Sequence, residues 1–313
     1  MAREIPMVAA INEALHVAMA ADPDVIVLGE DVAGGGGRAD QGIEEAWGGI
    51  MGATRGLFKR FGPSRVRDTP ISEMGFLGVA LDPLLNQAAK LRYMFGGKAR
   101  VPLTVRTVCG AGMRAAAQHS QSLYWMTTGI PGLKTVIPSN PADAKGLLLA
   151  AIRDDDPVIF CEAKGVLMQR GEVPEGDYTI PIGQAKVVRA GGDVTLVAFG
   201  ATVAVALAAA EQLAREGTEA EVLDLRSLQP LDEAAILGSL EKTGRLVVVD
   251  ESTPRCGIAS DVAALCVDRG FDFLNAPVKR VTAPHTPVPF AAILEDAFRP
   301  SAEKVIAAVR EMG

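Results

Sequence analysis

The sequence predicts an α/β protein built on a doubly wound parallel sheet and followed by a second, smaller α/β unit. Three observations carry that prediction. Short apolar runs of strand type alternate with longer segments of helical period along the whole chain. The 313 residues are enough for two domains with separate cores. The periodicity lapses once, over residues 164–182, where Gly and Pro punctuate the chain as a linker would. The expected division is a first domain at 1–165, a linker at 166–185 and a second domain at 186–313.

Each element follows from its pattern. Residues 7–19 carry apolar side chains at 7, 8, 11, 15, 18 and 19, which makes an amphipathic helix. Residues 25–28 are a continuous apolar strand that empties into Gly29-Glu30-Asp31, and four consecutive glycines at 34–37 form a loop. The tract 47–61 reads as loop and helix, with a strand at Val66 after it. Residues 84–94 then read as helix, 101–107 as strand, 115–125 as helix, 133–137 as strand, 141–152 as helix and 157–162 as strand. Beyond the linker come strand 194–199, the Ala-rich helix 201–215, strand 220–225, helix 232–240 and strand 245–249, which ends at Asp250-Glu251. A helix over 257–269 and a last helix over 302–312, with Ser301 as its N-cap, complete the series. Such alternation implies parallel strands joined by helical crossovers.

Composition excludes several function classes. The net charge of −7 gives no overall basic surface, which argues against nucleic acid and anionic membranes as partners. Hydrophobic residues make up 49% of the chain and mean hydropathy is +0.21, an apolar excess that points to buried subunit interfaces. Cys109, Cys161, Cys256 and Cys266 lack C-x-x-C spacing, so zinc and redox-motif chemistry fail and reduced thiols are expected. The polar start MAREIPMVAA does not read as a signal peptide, and no run approaches the roughly 18 apolar residues that span a bilayer. The cytoplasm is the expected compartment.

The segment RVRDTPISEMG, residues 65–75, is a strand emptying into a helix start, the edge at which open α/β sheets place ligand-contacting groups. An acid there is ordinarily only a capping charge. Glu73, however, is flanked by Ile71, Met74, Phe76 and Leu77, and an apolar setting raises a carboxyl pKa toward the range useful for proton transfer. His119 has polar neighbours in Gln118, Ser120 and Gln121, so a core location is disfavoured and its near-neutral pKa suits proton transfer. A lone His at a helix start is otherwise a surface residue. His16 lies on an amphipathic helix and reads as structural, and His285, in the Pro-bounded turn HTPVP, is assigned no role.

Taken with VIVLGEDV (25–32), AAQHSQ (116–121) and AIRDDDPVIF (151–160), the string DTPISE makes the chain resemble, over nearly its whole length, a known family. This is the beta subunit of the thiamine-diphosphate-dependent E1 component of 2-oxo-acid dehydrogenase complexes. GEDVAGGGGRADQGIEEAWGG is most similar to the acetoin-cleaving branch, with pyruvate or branched-chain 2-oxo acids as the alternative substrates. The resemblance implies a transketolase-like pyrimidine-binding domain followed by a smaller transketolase C-terminal-like domain. It implies that Glu73 hydrogen-bonds the coenzyme's pyrimidine and promotes ylide formation. Glu30 and Ile71 would flank that ring, and His119 would assist acyl transfer to a lipoyl arm. It further implies a structural potassium ion at Leu103, Ala151, Ile152, Asp154 and Asp156, chemistry that suits a hard cation.

The Gly-Asp-Gly magnesium motif that would hold the diphosphate is missing: EGDY and GGDV lack both the second glycine and the helix context. The chain is therefore expected to hold half of the coenzyme. An alpha subunit would carry the magnesium site in a heterotetramer of two alpha and two beta subunits, and an E2 lipoyl acyltransferase would take the acyl unit. The resemblance breaks at one place. Gly78-Val79-Ala80-Leu81 runs directly into Asp82-Pro83, where roughly twenty residues are absent by family expectation, enough for one strand and its connections. The absent segment normally holds a central strand and an aromatic residue that packs on the pyrimidine. The explanation favoured on sequence is a segment omitted from sequential numbering, which predicts a Cα gap near Ala80–Asp82 far beyond the 3.80 Å of a trans peptide. True shortening and engineering are the alternatives. A shortened chain also opens the reading of a non-catalytic scaffold.

Overall fold

The computed structural model describes residues 2–33, 48, 49, 51–69 and 82–313. The chain begins with strand β1 (Ala2–Pro6) and helix α1 (Met7–Ala21), which buries Met7, Ala10, Ile11, Ala14, Leu15, Ala18 and Met19 on one stripe. That spacing is one face of a helix. Strand β2 (Val27–Gly29), helix α2 (Leu57–Phe61) and strand β3 (Val66–Asp68) come next. The expected helix at 84–94 opens instead as a wide π-helical turn, Asp82–Ala88, before tightening into α3 (Ala89–Met94).

Strand β4 (Thr104–Cys109) begins later than the 101–107 expected. The expected helix 115–125 is two single turns, α4 (Ala116–His119) and α5 (Trp125–Thr128). The interruption has a visible cause, because the carbonyl of Gln121 accepts the N–H of Gly110 at 3.1 Å. Strand β5 (Lys134–Val136) leads to α6 (Pro141–Ile152), which has Pro at its first turn and Asn140 as N-cap, accepting from Asp143 N at 2.9 Å. Strands β6 (Val158–Ala163), β7 (Arg170–Pro174), β8 (Lys186–Arg189) and β9 (Val194–Ala198) follow. The remainder is α7 (Thr202–Arg215), β10 (Ala220–Asp224), β11 (Ser227–Gln229), α8 (Glu233–Thr243), β12 (Leu246–Asp250), α9 (Ile258–Arg269), β13 (Lys279–Thr282), α10 (Ala292–Phe298) and α11 (Ala302–Arg310). Ser301 caps α11 as expected.

The chain divides into two compact units that do not follow chain order. One comprises Met1–Thr104, Asn140–Pro157 and Leu167–Ile180, the other Val105–Ser139, Val158–Val166 and Pro181–Gly313. In the first, β1 pairs antiparallel with β7, β2 pairs parallel with β3, and α1 packs on α6. Gly146 on α6 is where Tyr178 and Ile180 press closest, since a Cβ there would stand 2.7 Å from Ile180 Cγ1.

The second unit holds two sheets. One runs β11-β5-β6-β4, with β5 and β6 parallel, and the other runs β13-β12-β9-β10-β8. In the latter β13, β12, β9 and β10 are parallel and β8 is an antiparallel edge. Alternation along β9 explains how its two faces are covered. Val194, Leu196 and Ala198 join a core with Val203, Ala206 and Leu213 of α7 and Val305, Ile306 and Val309 of α11. Thr195, on the opposite face, hydrogen-bonds Ser239 at 2.7 Å and Thr243 at 2.8 Å on α8. No described helix is long and apolar enough to cross a membrane.

Residues 70–81 lie outside the described residues, and with them the Cα spacing at Ala80–Asp82. The sequence nevertheless runs Ala80-Leu81-Asp82 without interruption in a chain of 313 residues. The shortening belongs to the sequence, which corrects the expectation of an omitted segment. Strands β3 and β4 flank the shortened stretch in the chain. Each ends its sheet with one edge lacking a strand partner among the described residues. Thr69 Oγ1, just past β3, and Thr104 Oγ1, at the start of β4, are both buried without a hydrogen-bond partner among the described residues.

Candidate active site

Glu30 stands on the turn that follows β2, at the carboxyl end of the parallel β2–β3 pair, where ligand groups collect in open α/β sheets. The turn is braced from several directions. Thr69 N donates to Gly29 O at 2.9 Å, Ala33 N to Asp68 Oδ1 at 2.6 Å, Thr54 Oγ1 to Val32 O at 3.0 Å and Gly49 N to Asp31 O at 3.0 Å. Asp31 takes the left-handed conformation with φ 55°. Among the described residues the half-buried Glu30 carboxylate has no partner, and the orphaned hydroxyl of Thr69 lies at the same strand ends. Ile71 and Glu73 lie outside the described residues.

His119 ends the single turn α4 and is exposed, without a hydrogen bond among the described residues. Its neighbours Gln118, Ser120 and Gln121 line a cavity of about 490 Å³, together with Trp125, Glu251 and His285. His285, assigned no role from sequence, thus shares a cavity wall with the residues flanking His119. Ser120 is 2% exposed and its hydroxyl is buried without a partner among the described residues. At the cavity's edge β12 ends in Asp250 and Glu251. Tyr124 donates to Asp250 Oδ1 at 2.5 Å, Ser252 N to the same oxygen at 2.7 Å, and Ala259 N to Oδ2 at 3.2 Å. Burial pushes both carboxyls upward from their ordinary range, and these hydrogen bonds only partly offset it for Asp250. Of the two, Glu251 lines the cavity, and the sequence marks it only as one of two acids ending an apolar strand.

The DDD turn after α6 is ordered by its own backbone and by cations. Asp154 N donates to Ala151 O at 3.3 Å, Asp156 N to Asp154 Oδ1 at 2.9 Å and Val101 N to Asp155 O at 2.8 Å. The last bond lays the segment bearing Leu103 beside Ala151, Ile152, Asp154 and Asp156. Arg92 Nε lies 3.4 Å from Asp156 and Arg100 Nε 3.5 Å from Asp155, so guanidinium groups answer the acids. Among the described residues no cluster of three or more His, Cys, Asp or Glu side chains could hold a metal ion.

Comparison with known proteins places this geometry. The family model for the transketolase pyrimidine binding domain matches residues 3–82 and 81–169, and that for the transketolase C-terminal domain matches 183–305. The beta subunit of acetoin:2,6-dichlorophenolindophenol oxidoreductase from Bacillus subtilis (strain 168) is 56% identical, covering 100% of this chain and 98% of the relative. The protein of the same name from Cupriavidus necator is 52% identical over 99% and 98%. The pyruvate dehydrogenase E1 component subunit beta of Bacillus subtilis is 40% identical over 99% and 98%. Among solved structures, a split gene transketolase described as an inactive beta4 tetramer matches with TM-score 0.73 at 22% identity, covering 98% of each chain. The transketolase of Leishmania mexicana matches with TM-score 0.64 at 17% identity, over 99% of this chain and 45% of that one. These structures speak to the fold alone, and they agree with the doubly wound α/β architecture and its smaller α/β partner. The Bacillus subtilis alignment spans 335 positions, 22 more than the 313 residues of this chain. The pyrimidine-domain match falls into two pieces that meet at residues 81–82, which locates the shortening there.

Proposed function

The chain belongs to the family of beta subunits of thiamine-diphosphate-dependent E1 enzymes, and from that premise we propose that it cleaves acetoin and passes the two-carbon acyl unit to a lipoyl group of an E2 acyltransferase. The observation that carries the choice of substrate is the difference in likeness. Over 96–100% of this chain, identity is 52–56% to the two acetoin oxidoreductase subunits but 38–40% to the pyruvate and 2-oxoisovalerate dehydrogenase subunits.

The residues fit the coenzyme's polar heterocycle in kind. The Glu30 carboxylate and the buried Thr69 hydroxyl, both without a partner among the described residues, stand at the ends of β2 and β3 and are groups of the kind an aminopyrimidine hydrogen-bonds. When bound, thiamine diphosphate supplies the nucleophilic carbon that adds to a substrate carbonyl and allows the adjacent carbon–carbon bond to break. In this reading Glu73 holds a proton at a pyrimidine ring nitrogen, Ile71 packs against the ring, Glu30 orients it, and His119 moves a proton during acyl transfer. The domain division is taken as 1–165 and 186–313 with a linker between, a division along the family matches that differs from the two compact units of the fold. An alpha subunit carries the magnesium and diphosphate half of the site in a cytoplasmic heterotetramer. Carbonyl oxygens of the Leu103 and 151–156 segments hold potassium.

The test is reconstitution with an alpha subunit and measurement of dye reduction with acetoin, pyruvate and a branched-chain 2-oxo acid in parallel. Acetoin is expected to give the highest kcat/KM, and preference for either oxo acid would reject the substrate. Glu73→Gln is expected to lower activity at least about a hundredfold, the low end of general acid–base contributions. Unchanged activity would reject its role. A second reading, a scaffold of the same fold without coenzyme, is favoured by the 22-position shortening and by the edges of β3 and β4 that lack a strand partner among the described residues. Calorimetry with thiamine diphosphate and magnesium on the reconstituted pair separates the two, since the scaffold gives no binding heat.

A further inference from the structure

The geometry points to Glu295 and Glu251 as positioning residues for acyl transfer at His119, because their carboxylates hold the loop from which the histidine's helix starts. The inference rests on the reading of His119 given above. It begins from a weakness in α4, which is a single turn of four residues. One turn fixes several backbone dihedrals for very few hydrogen bonds and does not hold itself. His119 has no partner among the described residues, so its placement is inherited from the backbone before it.

That backbone is strained. Gly110, Gly112, Arg114 and Ala116 all take positive φ, at 85°, 104°, 55° and 60°. For Arg114 and Ala116 this is the left-handed region that side chains disfavour, and it persists only where the surroundings over-determine it. The surroundings here are two carboxylates from distant parts of the chain. Glu251, at the end of β12, accepts the N–H of Ala111 at 2.9 Å. Glu295, on α10, accepts the N–H of Gly112 at 2.9 Å and that of Arg114 at 3.3 Å, and it pairs with the Arg114 guanidinium. The same guanidinium reaches Asp296 at 2.8 and 2.9 Å. Arg299 Nε stands 3.5 Å from Glu251 and completes the charge balance.

The fit leaves little room. A Cβ on Gly110 would meet Glu251 Oε2 at 2.7 Å, and one on Gly112 would meet the Arg299 guanidinium carbon at 3.2 Å. The Glu295 side chain has no exposed surface. Burial would raise its pKa, but the hydrogen bonds from Gly112 and Arg114 outweigh that and hold the carboxyl below its usual range, as a charge-assisted clamp requires.

The experiment uses the enzyme reconstituted with its alpha subunit and reads two rates, acetoin-dependent dye reduction and acylation of an isolated lipoyl domain. The quantity of interest is their ratio, which a merely structural loss of active enzyme does not move. Glu295→Ala and Arg114→Gln are expected to lower the ratio of lipoyl acylation to dye reduction about tenfold, the scale of a small misplacement of a reacting group. Glu295→Gln, which keeps an oxygen for the Gly112 N–H, is expected to recover most of it. If Glu295→Ala fails to fold, Arg114→Gln carries the test, because that side chain is 39% exposed. Wild-type ratios in the folded variants overturn the inference. His119→Asn is measured alongside. A fall there with wild-type ratios elsewhere refutes the positioning role and leaves the reading of His119 standing, whereas a wild-type ratio in His119→Asn rejects both.

Discussion

Lys145 offers a direct test of how the first compact unit is held together. Its side chain has no exposed surface, and its Nζ donates to Glu13 Oε1 on α1 and to the carbonyl of Pro174 on β7, each at 2.8 Å. It also lies 5.1 Å from the Tyr178 ring centroid. Lys145→Met keeps the volume and removes the charge. Two charge-assisted hydrogen bonds at about 1.5–3 kcal/mol each and a cation–π contact of about 1 kcal/mol are lost. Against this, the variant escapes a desolvation cost of several kcal/mol for the buried ammonium. Glu13 is 20% exposed and keeps its ion pair with Arg3, so it is not left bare, whereas Pro174 O loses its donor. The net expectation is a loss of about 2–4 kcal/mol, at or below the 3–5 kcal/mol of a fully buried pair broken from one side. Urea unfolding followed by circular dichroism measures it, with the midpoint and slope compared separately. In a cycle with Glu13→Gln, the double variant should fall short of additivity by about 1–2 kcal/mol. A Lys145→Met protein as stable as wild type, or additivity within about 0.5 kcal/mol, refutes the reasoning.

Two further outcomes are expected. Because the Glu295 carboxyl is held below its ordinary value, the folded state binds fewer protons there, and its contribution is full above the usual glutamate range and lost as pH falls through the lowered value. The stability gap between wild type and Glu295→Gln should therefore narrow from about pH 6 to about pH 3, and a gap that widens on acidification contradicts the assignment. Alkylation of the native protein at neutral pH should modify Cys256, which is exposed, and spare the buried thiols. Cys266 is pushed up to about 11 by burial, and Cys109 is raised by its hydrogen bond with Cys161 and by burial. Peptide mapping that finds label on Cys109 or Cys266 would contradict this.

The sequence by itself determined the strands that are covered on both faces, because burial on both sides leaves a continuous apolar run such as β12, and it determined the Ser301 cap, whose chemistry is local. It also determined the family, through short strings that need no neighbours to be read. Tertiary structure alone decided where the exposed-looking elements went. The antiparallel pair β1–β7 and the edge strand β8 are too polar to announce themselves, and the helix expected at 115–125 gave way to a bond between Gly110 and Gln121. The clamp on the histidine loop joins residues separated by 140 to 183 positions, a distance over which no periodicity or spacing carries information. Nothing local marks Lys145 as buried, because the groups that close over it, Glu13 and Pro174, lie 132 and 29 residues away. Local propensity and burial are written residue by residue along the chain, but a buried charge is defined by partners that only the folded chain brings within hydrogen-bonding distance.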